Sequence, residues 1–204
     1  MRLKRYASYE EYASIQSQWS VRKRSYVWAQ ADVLIAVANH IKALNIHAPF
    51  GICHGVRNGF EVSFLHDALK EIDATVIGTE ISEVAKESPF TIQWDFHKVK
   101  PEWIGKVDFI YSNSFDHSYD PETCLKNWMS CISPKGMCFL EWTNTHNADG
   151  VGEADCFRAA LDEYISLAEG FHVQDEIIHG QRNKINGTKS THIIMISHPD
   201  RKTI

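Results

Sequence analysis

The apolar positions of this chain follow two rhythms, and the change between them falls near residue 48. Before it, the spacing is helical. "SYEEYASIQSQWS" opens on Ser8 with Glu11 three residues later, a capping-box pattern that predicts a helix starting there. "SYVWAQADVLIAVANHIKAL" carries Val27, Ala31, Leu34, Ala38 and Ile41 at steps of four and three. That single apolar stripe predicts a second helix, ended by Asn45 and Pro49. From Phe50 onward short β-type runs alternate with helical ones. "FGICH", "ATVIGTE", "FTIQWD", "VDFIYSN" and "GMCFLEW" read as strands. Between and after them, "EVSFLHDALKEI" (buried stripe Val62, Leu65, Leu69, Ile72), "PETCLKNWMSCI" and "ADCFRAALDEYISLAE" read as helices. "FHVQDEII" and "STHIIMIS" are two late strands. Strands separated by helices predict an α/β protein with a single doubly wound, mostly parallel sheet and right-handed connections. Residues 1–48 form an N-terminal helical extension in this reading, and residues 49–204 the sheet domain.

Composition narrows the class without naming it. The 204 residues are 44% hydrophobic and 23% charged, the balance of a folded globular chain. A net charge of -5 supplies no general field for duplex nucleic acid or an anionic membrane. The short basic clusters "MRLKR" and "VRKR" read as solvated helix face or as a local phosphate contact. The apolar run "VLIAVA" is far short of the ~20 residues a spanning helix needs, and no export signal precedes it, so a cytoplasmic protein is expected. "NGT" at Asn186 matches a glycosylation acceptor, which has no meaning without export. Five cysteines, an odd number with no CxxC pair, argue against a disulfide framework. Cys124, Cys131 and Cys138 are seven apart, but two share a helix face and the third lies on the next strand, so no metal site is expected.

The candidate chemistry sits where the fold class puts ligands, just beyond the carboxyl ends of the strands. "CHGVRNG" follows the first strand of the sheet domain and leads straight into a helix, with Gly55 and Gly59 bracketing the turn. Such a loop is either a bare connection or a place where backbone comes close to a ligand. Glu80 ends the next strand, 21 residues after Gly59, about the spacing at which a carboxylate meets a ribose diol; capping the following segment is the alternative. Asp95 and Phe96 end the third strand and suit an adenine, or else form a turn beside a core ring. The fourth strand runs out through Ser112, Asn113 and Ser114 into a loop with Asp116, His117 and Tyr119.

Taken in order, these segments resemble the class I S-adenosylmethionine-dependent methyltransferases, the branch with a GxRNG-type first loop. "CHGVRNG" is similar to that family's cofactor loop, "VIGTEIS" to its ribose-acid strand and "IQWDFHKV" to its adenine-side segment. The stretch from "VDFIYSN" to "GMCFLEW" is similar to its fourth and fifth strands. The resemblance covers roughly residues 49–142 and implies S-adenosyl-L-methionine as cofactor, bound by the 49–204 domain. Carried over, it implies that Gly55 and Gly59, with Arg57 and Asn58 between them, line the methionine part. Glu80 then binds the ribose, Asp95 with Phe96 the adenine, and Ser112 or Asn113 faces the sulfonium. Cys53 stands where the wider family has an acid, and Arg57 where it has a middle glycine, so Arg57 is expected to pair with the methionine carboxylate instead.

For an oxygen acceptor, His117 is the candidate base, oriented by Asp116, with both as turn residues the alternative and His146 a second candidate. The base-methylating tetrad of amino-methylating nucleic-acid enzymes is absent, its place reading "SNSF". A small-molecule or sugar acceptor is therefore expected. Two other readings stay open: a non-catalytic module binding the same cofactor, and a related enzyme using it for different chemistry. A nicotinamide-dependent oxidoreductase is disfavoured by the missing GxGxxG run. The N-terminal apolar stripe is a possible homodimer surface.

Overall fold

Alternate residues of the central strands are apolar in both directions, so the sheet they form has to be covered on both faces. The computed structural model describes residues 1–144, 150–178 and 191–199. Its elements are β1 (Arg2–Leu3), α1 (Tyr9–Arg22), α2 (Ala31–Ala43), β2 (Phe50–His54), α3 (Phe60–Ala68), β3 (Thr75–Glu80), β4 (Thr91–Gln93), β5 (Val107–Ser112), α4 (Pro121–Cys131), β6 (Ile132–Trp142), β7 (Phe157–Arg158), α5 (Leu161–Ser166), β8 (His172–Ile178) and β9 (Thr191–Ser197). Seven strands form one sheet in the order β4-β3-β2-β5-β6-β9-β8. Neighbours pair in parallel except at β9, which runs antiparallel to both β6 and β8. The order reverses between β2 and β5. His146 and Asn186 lie outside the described residues, as does part of the segment after β6.

Two cores follow from the alternation. On one face Ile52, Ile110, Leu140 and Ile194 meet Leu125 and Trp128 of α4 and Tyr164 of α5. On the other, Cys53, Phe109, Phe139 and Ile193 meet Leu34, Val37 and Ile41 of α2 and Val62 and Leu65 of α3. All five cysteines are free and buried.

Three expectations are corrected by tertiary contacts. α2 begins at Ala31, and its buried stripe is Val33, Leu34, Val37, Ala38 and Ile41. Val27 lies before the helix and is exposed, because the chain there runs extended, with Asn58 Nδ2 donating to the carbonyls of Arg24 and Tyr26 at 3.1 and 3.0 Å. The stripe is buried inside the chain, so no second copy can use it. "ADCFRAALDEYISLAE" is not one helix: Phe157–Arg158 pair with Leu3 and Arg2 in a small antiparallel ribbon, and α5 is six residues. Finally, β4 is only three residues long, since Trp94 and Asp95 turn away to hold α1 and the loop after them.

Candidate functional site

The reversal in strand order opens a crevice at the carboxyl ends of β2, β3 and β5, and α1 lies across it. The resulting cleft is a concave site that opens to solvent at its mouth. One wall is Gly55, Arg57, Glu80, Ile81, Asp95 and Phe96; the other is Ser114 and His117, with Tyr12, Gln16, Trp19 and Lys23 of α1 overhead.

Gly55 leaves β2 with φ +74°, and a Cβ there would lie 2.7 Å from Ser114 Cβ. Glycine is required on both counts. The loop is held to the sheet by Gly55 N donating to Thr79 O at 2.9 Å, and by Ser114 Oγ donating to Gly55 O at 3.0 Å. Glu80 is buried, and each of its oxygens takes one backbone N–H: Oε2 from Arg57 at 3.0 Å, Oε1 from Ser82 at 2.9 Å. A carboxylate offers about four acceptor positions, so two remain. Arg57 itself has φ +46°, and its buried Nε has no partner among the described residues. Burial pulls the guanidinium below its ordinary range against the opposing fields of Glu80, Glu61, Asp155 and Asp116.

At the end of β4, Asp95 Oδ1 accepts from His97 N at 2.9 Å and His97 Nδ1 at 2.8 Å, while Oδ2 accepts from the Tyr9 hydroxyl at 2.9 Å. Burial alone would push this carboxyl up, but the bonds donated by His97 and Tyr9 hold it below its ordinary value. Phe96 stands edge-on to Trp128, with centroids 5.5 Å apart, on the wall beside Gly55. Beneath the loop His54 stacks on Trp128 at 4.6 Å and reaches Thr79 Oγ1 at 2.8 Å. Burial depresses its pKa to about 3.

Four residues expected to hold the cofactor are not among the cleft walls, and neither is Asp116. Asn58 is engaged with the Arg24 and Tyr26 carbonyls. Gly59, at φ +71°, packs on the β3–β4 connection, where a Cβ would meet Ser88 Cβ at 2.9 Å. Ser112 is fully buried, donating to His54 O at 3.0 Å and accepting from Ser114 N at 3.1 Å. Asn113 donates to Glu61 Oε1 at 3.1 Å. Ser114, the next residue, takes the wall position instead.

His117 Nδ1 lies 3.1 Å from both Gln16 Oε1 and Ala154 O. Those two groups orient the ring; Asp116 Oδ1 is 3.9 Å from Nε2, and Asp155 Oδ1 is 3.7 Å from it. Gln16, Tyr12 and Asp155 carried no sequence signal. The first two sit on a helix face that reads as ordinary amphipathic surface, and Asp155 lies in a loop distant in sequence from His117.

No protein-family model matches the chain, and no curated protein matches it by sequence. Solved structures do match. Burkholderia thailandensis 1,6-didemethyltoxoflavin-N1-methyltransferase, determined with its substrate and S-adenosylhomocysteine, superposes with a TM-score of 0.69 at 13% identity, covering 96% of this chain and 92% of that one. A chain from the complex of the Haloferax volcanii Trm112 methyltransferase activator with a methyltransferase reaches 0.65 at 14% identity, covering 95% and 100%.

The chain has the class I S-adenosylmethionine-dependent methyltransferase fold.

This fold does not fix one reaction, because the [4+2]-cyclase SpnF shares it at a TM-score of 0.59 and 9% identity over 80% of each chain. The methyltransferase fold does account for where the cleft lies: Gly55 and Ser114 follow β2 and β5, between which strand order reverses, and Glu80 and Asp95 stand at the carboxyl ends of β3 and β4 on the same edge. No helix among the described residues is long and apolar enough to cross a membrane.

Proposed function

We propose that this chain is an S-adenosyl-L-methionine-dependent methyltransferase acting on a small-molecule or sugar acceptor, through oxygen. The observation that carries the reading is Glu80, a buried carboxylate on the cleft wall whose two oxygens are pre-set by backbone N–H groups and keep acceptor capacity for a vicinal diol. Two further features fit the cofactor. Gly55 brings bare backbone to the cleft wall, where a Cβ would collide with Ser114, and the orphaned Arg57 Nε suits the methionine carboxylate. Cys53 points into the α2–α3 core, its thiol pushed up by burial, so it does not serve as the family's acid toward the ammonium. Asp95 and Phe96 supply the adenine end, and Ser114 replaces Ser112 and Asn113 at the reacting end in this reading.

When bound, the cofactor supplies an electrophilic methyl on a sulfonium. The chain's part is to align an acceptor oxygen and exclude water, which can supply up to ~7–11 kcal/mol of the barrier reduction. His117 is the acceptor-side base. Its Nδ1, facing two acceptor oxygens, carries the hydrogen, and this leaves Nε2 as the basic atom beside Asp116. The five free cysteines fit a reducing cytoplasm. A homodimer, if formed, would use a surface other than the α2 stripe, which light scattering tests.

Calorimetric titration with S-adenosylhomocysteine and S-adenosylmethionine is the direct test. Binding is expected, with Glu80→Ala and Arg57→Ala each weakening it roughly 10-fold or more, in line with charged hydrogen bonds worth ~1.5–3 kcal/mol. No binding at millimolar ligand overturns the reading, and binding of nicotinamide cofactors in its place identifies an oxidoreductase. Cofactor binding without a methylated product across a hydroxyl-acceptor panel favours a non-methylating use of the fold.

A further inference from the structure

We propose that Asp116, His117 and Asp155 bind a divalent transition-metal cation on the acceptor side of the cleft. Their candidate ligand atoms all lie within 4.8 Å of one another. The imidazole is held from behind by groups outside the cluster. Gln16 donates from Nε2 to Ala154 O at 2.8 Å, so its amide oxygen is the end turned toward His117 Nδ1. With Ala154 O on the same nitrogen at 3.1 Å, Nδ1 faces acceptors only and keeps its hydrogen. Nε2 then presents a lone pair toward Asp116 Oδ1 at 3.9 Å and Asp155 Oδ1 at 3.7 Å.

Those distances are too long for a direct hydrogen bond. One imidazole nitrogen and two carboxylate oxygens facing a common point make a donor set for a cation. Donors that share a first-row cation at about 2.0–2.2 Å sit roughly 3–3.5 Å apart, so the set closes by roughly 0.5–1.5 Å per pair on binding. An imidazole pinned through its far nitrogen by carbonyl oxygens is the arrangement that orients metal-binding histidines. Asp116 is buried, while His117 and Asp155 are half-buried, and His117 is the one of the three that lines the cleft. Arg158 Nη2 holds Asp155 Oδ2 at 2.9 Å and leaves Oδ1 for the cation. One imidazole nitrogen with two carboxylate oxygens favours Mn²⁺, Fe²⁺ or Zn²⁺ over Ca²⁺ and Mg²⁺, which prefer all-oxygen sites.

Only the cation's role rests on the methyltransferase reading. It would take the acceptor hydroxyl oxygen as a further ligand and lower that hydroxyl's pKa, so that the proton leaves to water as the oxygen attacks. His117 Nε2 is then a ligand, and solvent water takes the proton in its place.

The test uses the full chain, stripped with chelator and titrated with Mn²⁺ by calorimetry and by the paramagnetic resonance of the free ion, with Zn²⁺ in parallel. One Mn²⁺ per chain is expected. Asp155→Asn and His117→Gln should each weaken it about 10-fold or more, at unchanged circular dichroism and unchanged S-adenosylhomocysteine affinity. Gln16→Leu, which removes the oxygen that pins the ring together with the bond to Ala154 O but no ligand, should weaken it by a smaller factor. Asp116→Asn replaces either ligand variant if that one does not fold. Absence of saturable Mn²⁺ and Zn²⁺ binding, or affinity unchanged in the variants, overturns the proposal. Metal binding as expected without S-adenosylhomocysteine binding upholds the site and removes the methyltransferase reading.

Discussion

Two buried ionisable groups near the cleft titrate in opposite senses and contribute opposing slopes to stability in acid. Glu61, at the start of α3, has Oε1 bonded to Asn113 and Oε2 without a partner among the described residues; burial raises its pKa from 4.5 to about 7. The folded state therefore holds a proton that the unfolded state releases, and this group's contribution is complete below pH 4.5 and declines as pH rises toward 7. His54 behaves inversely. Its folded value of about 3 lies below the ordinary 6.5, so its contribution is complete above pH 6.5 and declines as pH falls toward 3. Each proton is worth about 1.4 kcal/mol per pH unit, and between pH 4.5 and 6.5 the two slopes cancel. Glu61→Gln should thus stabilise the protein above pH 7 by about 1–3 kcal/mol. It should also expose a loss on acidification that the wild type lacks; thermal melts at pH 5, 6 and 8 check both. Neither residue was legible as unusual in the sequence. A carboxylate in the first turn of a helix reads as a cap, and only the packing of α3 against β5 turns it inward.

Elements were legible where their apolar period agreed with their neighbours. β2, β3, β5 and α4 follow the sequence reading within a residue or two, because each is covered on the faces its pattern demands. α1 starts where Ser8 puts it, with Ser8 Oγ accepting from Glu11 N at 3.3 Å and the Glu11 carboxylate reaching Ala7 N at 2.6 Å. What failed was pairing at a distance. Phe157–Arg158 left the helical pattern because Arg2 and Leu3 offer a partner from the far end of the chain, which no local window contains. The two loop glycines also looked alike and are not. Gly59→Ala should cost about 1–3 kcal/mol through Ser88 and the positive φ, while cofactor affinity in the folded protein is retained. Gly55→Ala should lose affinity as well, since its Cβ would displace Ser114 on the cleft wall. Denaturant melts with parallel S-adenosylhomocysteine titrations separate the two.

At the scale of the molecule, the strand-helix alternation was enough for the sheet and its two layers, and the rule for where ligands sit was enough to find most of the cleft. The N-terminal helices were candidates to wall the pocket from the sequence, but nothing in "SYEEYASIQSQWS" says which surface α1 lies on. Its position has a cost: the Tyr9 hydroxyl occupies Asp95 Oδ2, the atom an adenine amino group would use. Tyr9→Phe should therefore tighten S-adenosylhomocysteine about 2- to 10-fold, measured by calorimetry. The antiparallel strand has a different consequence. Within the sheet β8 touches no strand but β9, and β9 is later in the chain than everything it joins. During synthesis β8 must wait, its ladder groups open to any passing edge, until residues 191–197 have emerged and slid in beside β6. A nascent chain halted just after residue 178 should accordingly be protease-sensitive across 172–178 and prone to cluster with its own kind, and release of the remaining residues should end both behaviours.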